Sequence, residues 1–126
     1  MQRLPESELD VMLAMWDAEK QPVSRAYFDG KLAYKGWTVN ALNSFLSRLE
    51  EKGFVRGVRS GKNKYYSATI KRDDYLFHEG KGILKKLYRG SVKNFLLSIS
   101  DQDGMDEREI DELREYLNEL KEGLRK

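Results

Sequence analysis

Apolar side chains recur at helical spacing in six stretches of the chain and at strand-like spacing between the third and the fourth. Leu9, Met12, Leu13 and Trp16 fall on one face of an amphipathic helix over roughly residues 5–19. Pro5 fits its first turn, Glu6 and Glu8 suit its positive end, and Gln21-Pro22 ends it. Ser24 is a suitable N-cap for a short second helix carrying Tyr27, Phe28, Leu32 and Tyr34, which Lys35-Gly36 closes. Thr38 is the expected N-cap of a third helix over residues 39–52. Val39, Leu42, Leu46 and Leu49 form its expected buried face, Phe45 lies beside them, and Gly53 is the stop. Residues 54–70 place Ser60-Gly61-Lys62-Asn63 between two β-prone runs, which predicts a hairpin. From Asp73 the pattern is helical again. Leu76, Ile83, Leu84 and Leu87 mark a long helix ending near Gly90, and Val92, Phe95, Leu96 and Ile99 mark a second. Ile110, Leu113, Leu117, Leu120 and Leu124 form a seam like that of a coiled coil on a third. The fold class expected is mainly α with a small β-hairpin. The pattern changes near residue 71, which divides the chain into domains 1–71 and 72–126.

Three short helices followed by a hairpin is the order of a winged helix-turn-helix. Charge sharpens that reading. The chain has 126 residues and a formal net charge of only +2. Residues 20–71, however, carry eleven Lys/Arg against three Asp/Glu, whereas residues 101–126 carry five against ten. The first stretch suits a polyanion and the second would be repelled by one. The third helix offers Asn40, Asn43, Ser44, Ser47 and Arg48 opposite its apolar face, with Thr38 at its start. Asn, Ser and Arg can hydrogen-bond to base edges in the major groove, where an α-helix fits. Arg59, Lys62 and Lys64, with Arg56, make the hairpin basic and able to hold phosphates. The competing readings are a merely solvated helix face, a strand edge protected by charge, and a winged-helix module that contacts proteins and has no DNA target.

The C-terminal helices can pack within one chain or against a second. Leu84, Leu87, Tyr88, Phe95 and Leu96, together with Ile110, Leu113, Leu117 and Leu120, give more apolar surface than about fifty residues can cover among themselves. A homodimer is the favoured expectation, and its two-fold axis would match a palindromic operator.

Other classes find little support. There is no cysteine, so no disulfide or thiolate metal site can form, and His78 is the only histidine. His78 is expected on a helix surface or as a satisfied core residue. No Gly-rich phosphate loop and no carboxylate pair in an apolar setting occurs. Neither an enzyme nor a bound cofactor or metal is expected. No apolar run approaches the roughly 20 residues of a membrane span. Residues 1–8 lack the apolar centre of a signal peptide, so the expected location is cytoplasmic, without membrane insertion.

Several segments in order resemble the penicillinase repressor family, which includes β-lactamase, methicillin-resistance and copper-transport repressors. They are Glu8 to Met12 with Leu13 through Trp16, Gly36-Trp37-Thr38, Phe45 through Val55, Tyr65-Tyr66-Ser67, Leu87 to Gly90, and Glu109 through Leu117. The resemblance covers nearly the whole chain. It implies a homodimeric repressor of antibiotic-resistance or stress genes, with a winged-helix DNA-binding domain and a helical dimerisation domain. It also implies an operator near a promoter, often beside a gene for a membrane-bound sensor protease that induces by cleavage. The chain departs from the family at Ala41, Asn43 and Ser44, where the family usually carries Thr, then Lys or Arg, then Thr. The Asn-Phe bond cleaved in the resistance repressors aligns with Ser98-Ile99, while Asn94-Phe95 carries those letters four residues earlier. Copper sensing through a cysteine cluster is excluded.

Overall fold

The computed structural model describes residues 1–100 and 104–125. The helix around which the first unit is built is α1 (Glu6–Trp16), and it packs against three neighbours: α2 (Arg25–Lys31), α3 (Val39–Glu51) and a strand of the hairpin. Its buried side is therefore wider than a single stripe. Val11, Met12 and Met15 are wholly buried, whereas Leu9 and Leu13 are only half-buried. The helix stops at Trp16, short of the expected residue 19. Gln21 then crosses to the sheet, donating to the Met15 carbonyl at 3.4 Å and accepting from the Ala68 amide at 2.7 Å.

The hairpin consists of β2 (Val55–Ser60) and β3 (Asn63–Ala68), paired antiparallel with Ser60 opposite Asn63. Gly61 alone in the intervening pair has positive φ (64°), which a two-residue turn of type II′ requires. The pairing also recruits a strand that the sequence pattern does not reveal. Val23–Ser24, β1, adds to the far edge of β3, with Val23 opposite Tyr66. Two residues beside a proline carry no alternation to read. The end of α3 was legible from Gly53 and has a definite geometry. The Phe54 amide returns to the Leu49 carbonyl at 2.8 Å and the Gly53 amide to Glu50 at 3.0 Å, a Schellman closure with Gly53 at φ 79°.

Two expectations about helix faces are corrected. Val39 is 66% exposed, at the rim of a small concavity shared with Phe28 and Leu42, and Leu42, Leu46 and Leu49 alone form the buried face. Tyr34 does not extend α2. A 3-10 turn, Ala33–Lys35, follows it and leaves Tyr34 exposed.

Glu8 does more than favour the helix dipole. It is 2% exposed, and its carboxylate meets the Lys52 ammonium at 2.5 Å, tying α1 to the end of α3. Removing the cation leaves a buried carboxylate without its partner. Lys52→Ala is expected to cost about 3 kcal/mol in urea unfolding. The double replacement Glu8→Leu with Lys52→Met should recover much of it, and a single-variant loss below about 1 kcal/mol would mark the pair as an ordinary surface contact.

The first compact unit spans Met1–Gly80, and the second Lys81–Lys126. The first thus extends beyond residue 71 into α4 (Arg72–Tyr88), because Tyr75 belongs to its core. Tyr75 accepts from the Leu4 amide at 3.0 Å, and its ring lies 5.7 Å from those of Trp16 and Phe54. Trp16 donates from Nε1 to the Ile70 carbonyl at 2.9 Å. Leu76, expected as a marker of the apolar face, is instead 45% exposed.

The second unit holds the rest of α4 with α5 (Val92–Ser100) and α6 (Glu107–Arg125). Ser91 caps α5 by accepting from the Asn94 amide at 3.0 Å, and Asp106 caps α6 by accepting from Glu109 at 2.9 Å. Tyr88 and Phe95 meet edge to face at 5.3 Å. Yet no described residue of α5 or α6 is buried.

Candidate nucleic-acid interface

The interface is built on α3 and the hairpin. Thr38 Oγ1 accepts from the Ala41 amide at 3.0 Å, so its side chain is engaged as the N-cap. Trp37 braces the same turn against Phe45, with ring centroids 4.8 Å apart. With Leu42, Leu46 and Leu49 turned inward, the 3.6-residue repeat turns Asn40, Asn43, Ser44, Ser47 and Arg48 outward, and all five are exposed.

The hairpin contributes unequally. Among the described residues Arg48, Arg56, Arg59 and Lys62 have no ion-pair partner. Lys64 is different. Its ammonium is 3.0 Å from Glu50 Oε2 and 5.6 Å from the centre of the Tyr66 ring, so it ties β3 to α3. Gly57 makes room for this pair, since a Cβ there would strike both the Glu50 carboxylate and the Lys64 stem. Strand alternation separates Arg56 from Arg59. Arg56 lines a concavity of about 720 Å³ with Pro22, Val58 and Tyr65, whereas Arg59 lines a different groove.

That second groove, about 490 Å³, brings Asn43 of α3 together with Arg59, Lys62 and Lys64 of the hairpin. It also contains Arg25, which sequence reasoning did not single out. Arg25 opens α2 and reaches across to α3, where Nη1 donates to Asn43 Oδ1 and Nη2 to the Val39 carbonyl at 3.2 Å. Asp29 lies 3.4 Å from its Nε. A cation in the first turn of the helix preceding the polar one was the available signal. Nearby, Lys35 pairs with Asp10 at 2.7 Å, and that hydrogen bond raises its pKa.

The remaining candidates belong to α4, α5 and α6. Leu84, Tyr88, Leu96 and Leu113 are half-buried, while Leu87, Phe95, Ile110, Leu117 and Leu120 are between 36% and 66% exposed. Ser98-Ile99 and Asn94-Phe95 both lie inside α5. His78 is exposed on α4. Among the described residues no group of three His, Cys, Asp or Glu could hold a metal ion, and no helix is long and apolar enough to cross a membrane.

A polar helix face with one arginine and no carboxylate among its five outward residues, beside unpaired cations on a hairpin, can place donors and acceptors on base edges while neutralising phosphates. The chain is similar to the penicillinase repressor of Staphylococcus aureus, 28% identical over 114 residues and covering 90% of each chain. It is similar to the methicillin resistance regulatory protein MecI of Staphylococcus aureus strain N315, 24% identical over 112 residues, 89% of this chain and 90% of that one. The penicillinase repressor of Bacillus licheniformis is 24% identical over 124 residues, 96% of each. Among solved structures, that of AbfR from Staphylococcus epidermidis gives a TM-score of 0.44 at 22% identity, covering 93% of this chain and 74% of the other. The model of the penicillinase repressor family matches residues 4–119, so the chain belongs to that family, which is one of transcriptional repressors and not of enzymes.

Proposed function

We propose that the protein is a homodimeric repressor that binds a palindromic operator in double-stranded DNA, with α3 in the major groove and the hairpin on the adjacent phosphates. The observation that carries this reading is the groove in which Asn43 meets Arg25, Arg59 and Lys62, next to the exposed Ser44, Ser47 and Arg48. Thr38 serves by setting the first turn of α3, and Lys64 by fixing the hairpin against it. Residues 1–71 supply the DNA-binding part and residues 72–126 the dimer. The exposed apolar residues of α4, α5 and α6 support the second copy, since large contiguous apolar patches are uncommon on monomers. Two copies would present two α3 helices to half-sites about 34 Å apart or a multiple of it. The names of the relatives support genes of antibiotic resistance as the regulated class, acting in the cytoplasm where the promoter lies. Relief of repression by a membrane-bound sensor protease would require local unwinding of α5 at either candidate bond.

The test is binding to the DNA upstream of the chain's own gene. Affinity should fall steeply with salt, and Arg48→Ala and Lys62→Ala should each weaken it. Lys62→Ala should weaken all sequences alike and lower the salt slope by about 1, the share of a single neutralised phosphate. Absence of binding to any such fragment at low salt would reject the reading.

A further inference from the structure

The orientation of the Asn43 side chain restricts what it can read. An arginine can only donate hydrogen bonds. The amide atom that meets Arg25 Nη1 must therefore be the oxygen, and it is Oδ1. Turning the amide over would set its NH₂ group against the guanidinium, donor facing donor. The guanidinium cannot readily swing away. Its Nη2 is held by the Val39 carbonyl at 3.2 Å, the Asp29 carboxylate lies 3.4 Å from its Nε as an ion pair without a hydrogen bond, and only 25% of the side chain is exposed. Among the described residues no acceptor meets Asn43 Nδ2, which is left with two outward hydrogens.

An asparagine reads adenine with both ends of the amide, its oxygen accepting from N6 and its nitrogen donating to N7. Here the oxygen is engaged, and its second lone pair lies beside a cation that disfavours the approach of a further donor. In the major groove cytosine presents only the N4 donor, thymine the single acceptor O4, and adenine the single acceptor N7 beside its N6 donor, whereas guanine alone presents two adjacent acceptors, N7 and O6, for the two hydrogens of Nδ2. We infer that Arg25 is a positioning residue that makes Asn43 a donor-only reader, so that the base pair beneath it is selected for guanine and against adenine.

This inference rests on the DNA-binding reading above, and the experiment separates the two. Binding-site selection from a randomised duplex library is run with the wild-type protein, Asn43→Ala, Arg25→Ala and Arg25→Met. Folding of each variant is checked by circular dichroism, and Arg25→Met keeps the stem should Arg25→Ala unfold. The position read by Asn43 is the one whose preference disappears in Asn43→Ala. Wild-type protein should select guanine there, and removal of the guanidinium should raise adenine relative to guanine by about tenfold or more as the amide becomes free to turn. Three results overturn the inference while leaving DNA binding intact. One is a wild-type preference for adenine at that position, and another is no position altered by Asn43→Ala. The third is an Arg25 variant that binds every sequence more weakly with its base ranking unchanged, the signature of a phosphate contact. Failure of the wild type to select any duplex at low salt rejects the DNA-binding reading itself, and the inference with it.

Discussion

Leu113→Lys combined with Leu117→Lys in α6 is expected to give a monomer that binds its operator about a hundredfold or more weakly, although neither residue belongs to α3 or the hairpin. Leu117 is 48% exposed and Leu113 half-buried in the single chain, and both lie on the seam with Ile110, Leu120 and Leu124. Covering a leucine that is half in water contributes on the order of 1 kcal/mol, and two-fold symmetry counts each position twice. A lysine in a closed apolar seam instead costs the desolvation of its charge. Losing the dimer removes the linkage between two half-sites, a factor of roughly 10² to 10⁴. Sedimentation of the variant should show one chain, and titration of a single half-site should be nearly unchanged from wild type. An unchanged dimer, or equal losses on the half-site and the full operator, would contradict the assignment of this seam.

The parts of the fold that were legible in the sequence are those whose cause is local. α6 has leucines at coiled-coil spacing. α3 has a threonine cap, a leucine stripe and a glycine stop, and each device acts within a few residues of itself. The same locality exposed the polar face from Asn40 to Arg48, which is simply what the leucine stripe leaves over. Features that escaped are set by residues distant in sequence. β1 exists because β3 offers an edge to Val23 and Ser24. Val39 has a core residue's chemistry and an apolar residue's spacing, but the fold leaves it exposed. Glu8 resembles a surface carboxylate until the end of α3 brings Lys52 to it. The site follows the same division. Arg25 and Asn43 are 18 residues apart and meet only because the Arg25 side chain reaches from the first turn of α2 to α3. Lys64 reads as one more basic residue on a hairpin, yet the gap left by Gly57 lets it turn inward to Glu50.

Tyr75 is the position at which the division at residue 71 has an energetic consequence. It is 1% exposed, the largest of the fully buried side chains among the described residues, and lies four residues past the expected boundary. Its ring fills the space between Trp16 and Phe54, and its hydroxyl accepts from the Leu4 amide. Tyr75→Ala would empty a ring-sized volume beside Trp16, Phe54 and Leu4, and is expected to destabilise the first unit by about 3–5 kcal/mol. That approaches the whole stability of a small domain, about 5–15 kcal/mol. Tyr75→Phe keeps the ring contacts and leaves the Leu4 amide without its acceptor, for a loss of about 1–3 kcal/mol. Urea unfolding monitored by Trp16 and Trp37 fluorescence reads both variants, since both tryptophans lie in the first unit. The same experiment on a chain cut after residue 71 should give no cooperative transition, whereas a chain cut after residue 80 should unfold as a unit. A cooperative transition of wild-type midpoint from the shorter chain would show that the core closes without Tyr75, and a loss below about 1 kcal/mol in Tyr75→Ala would say the same of its ring.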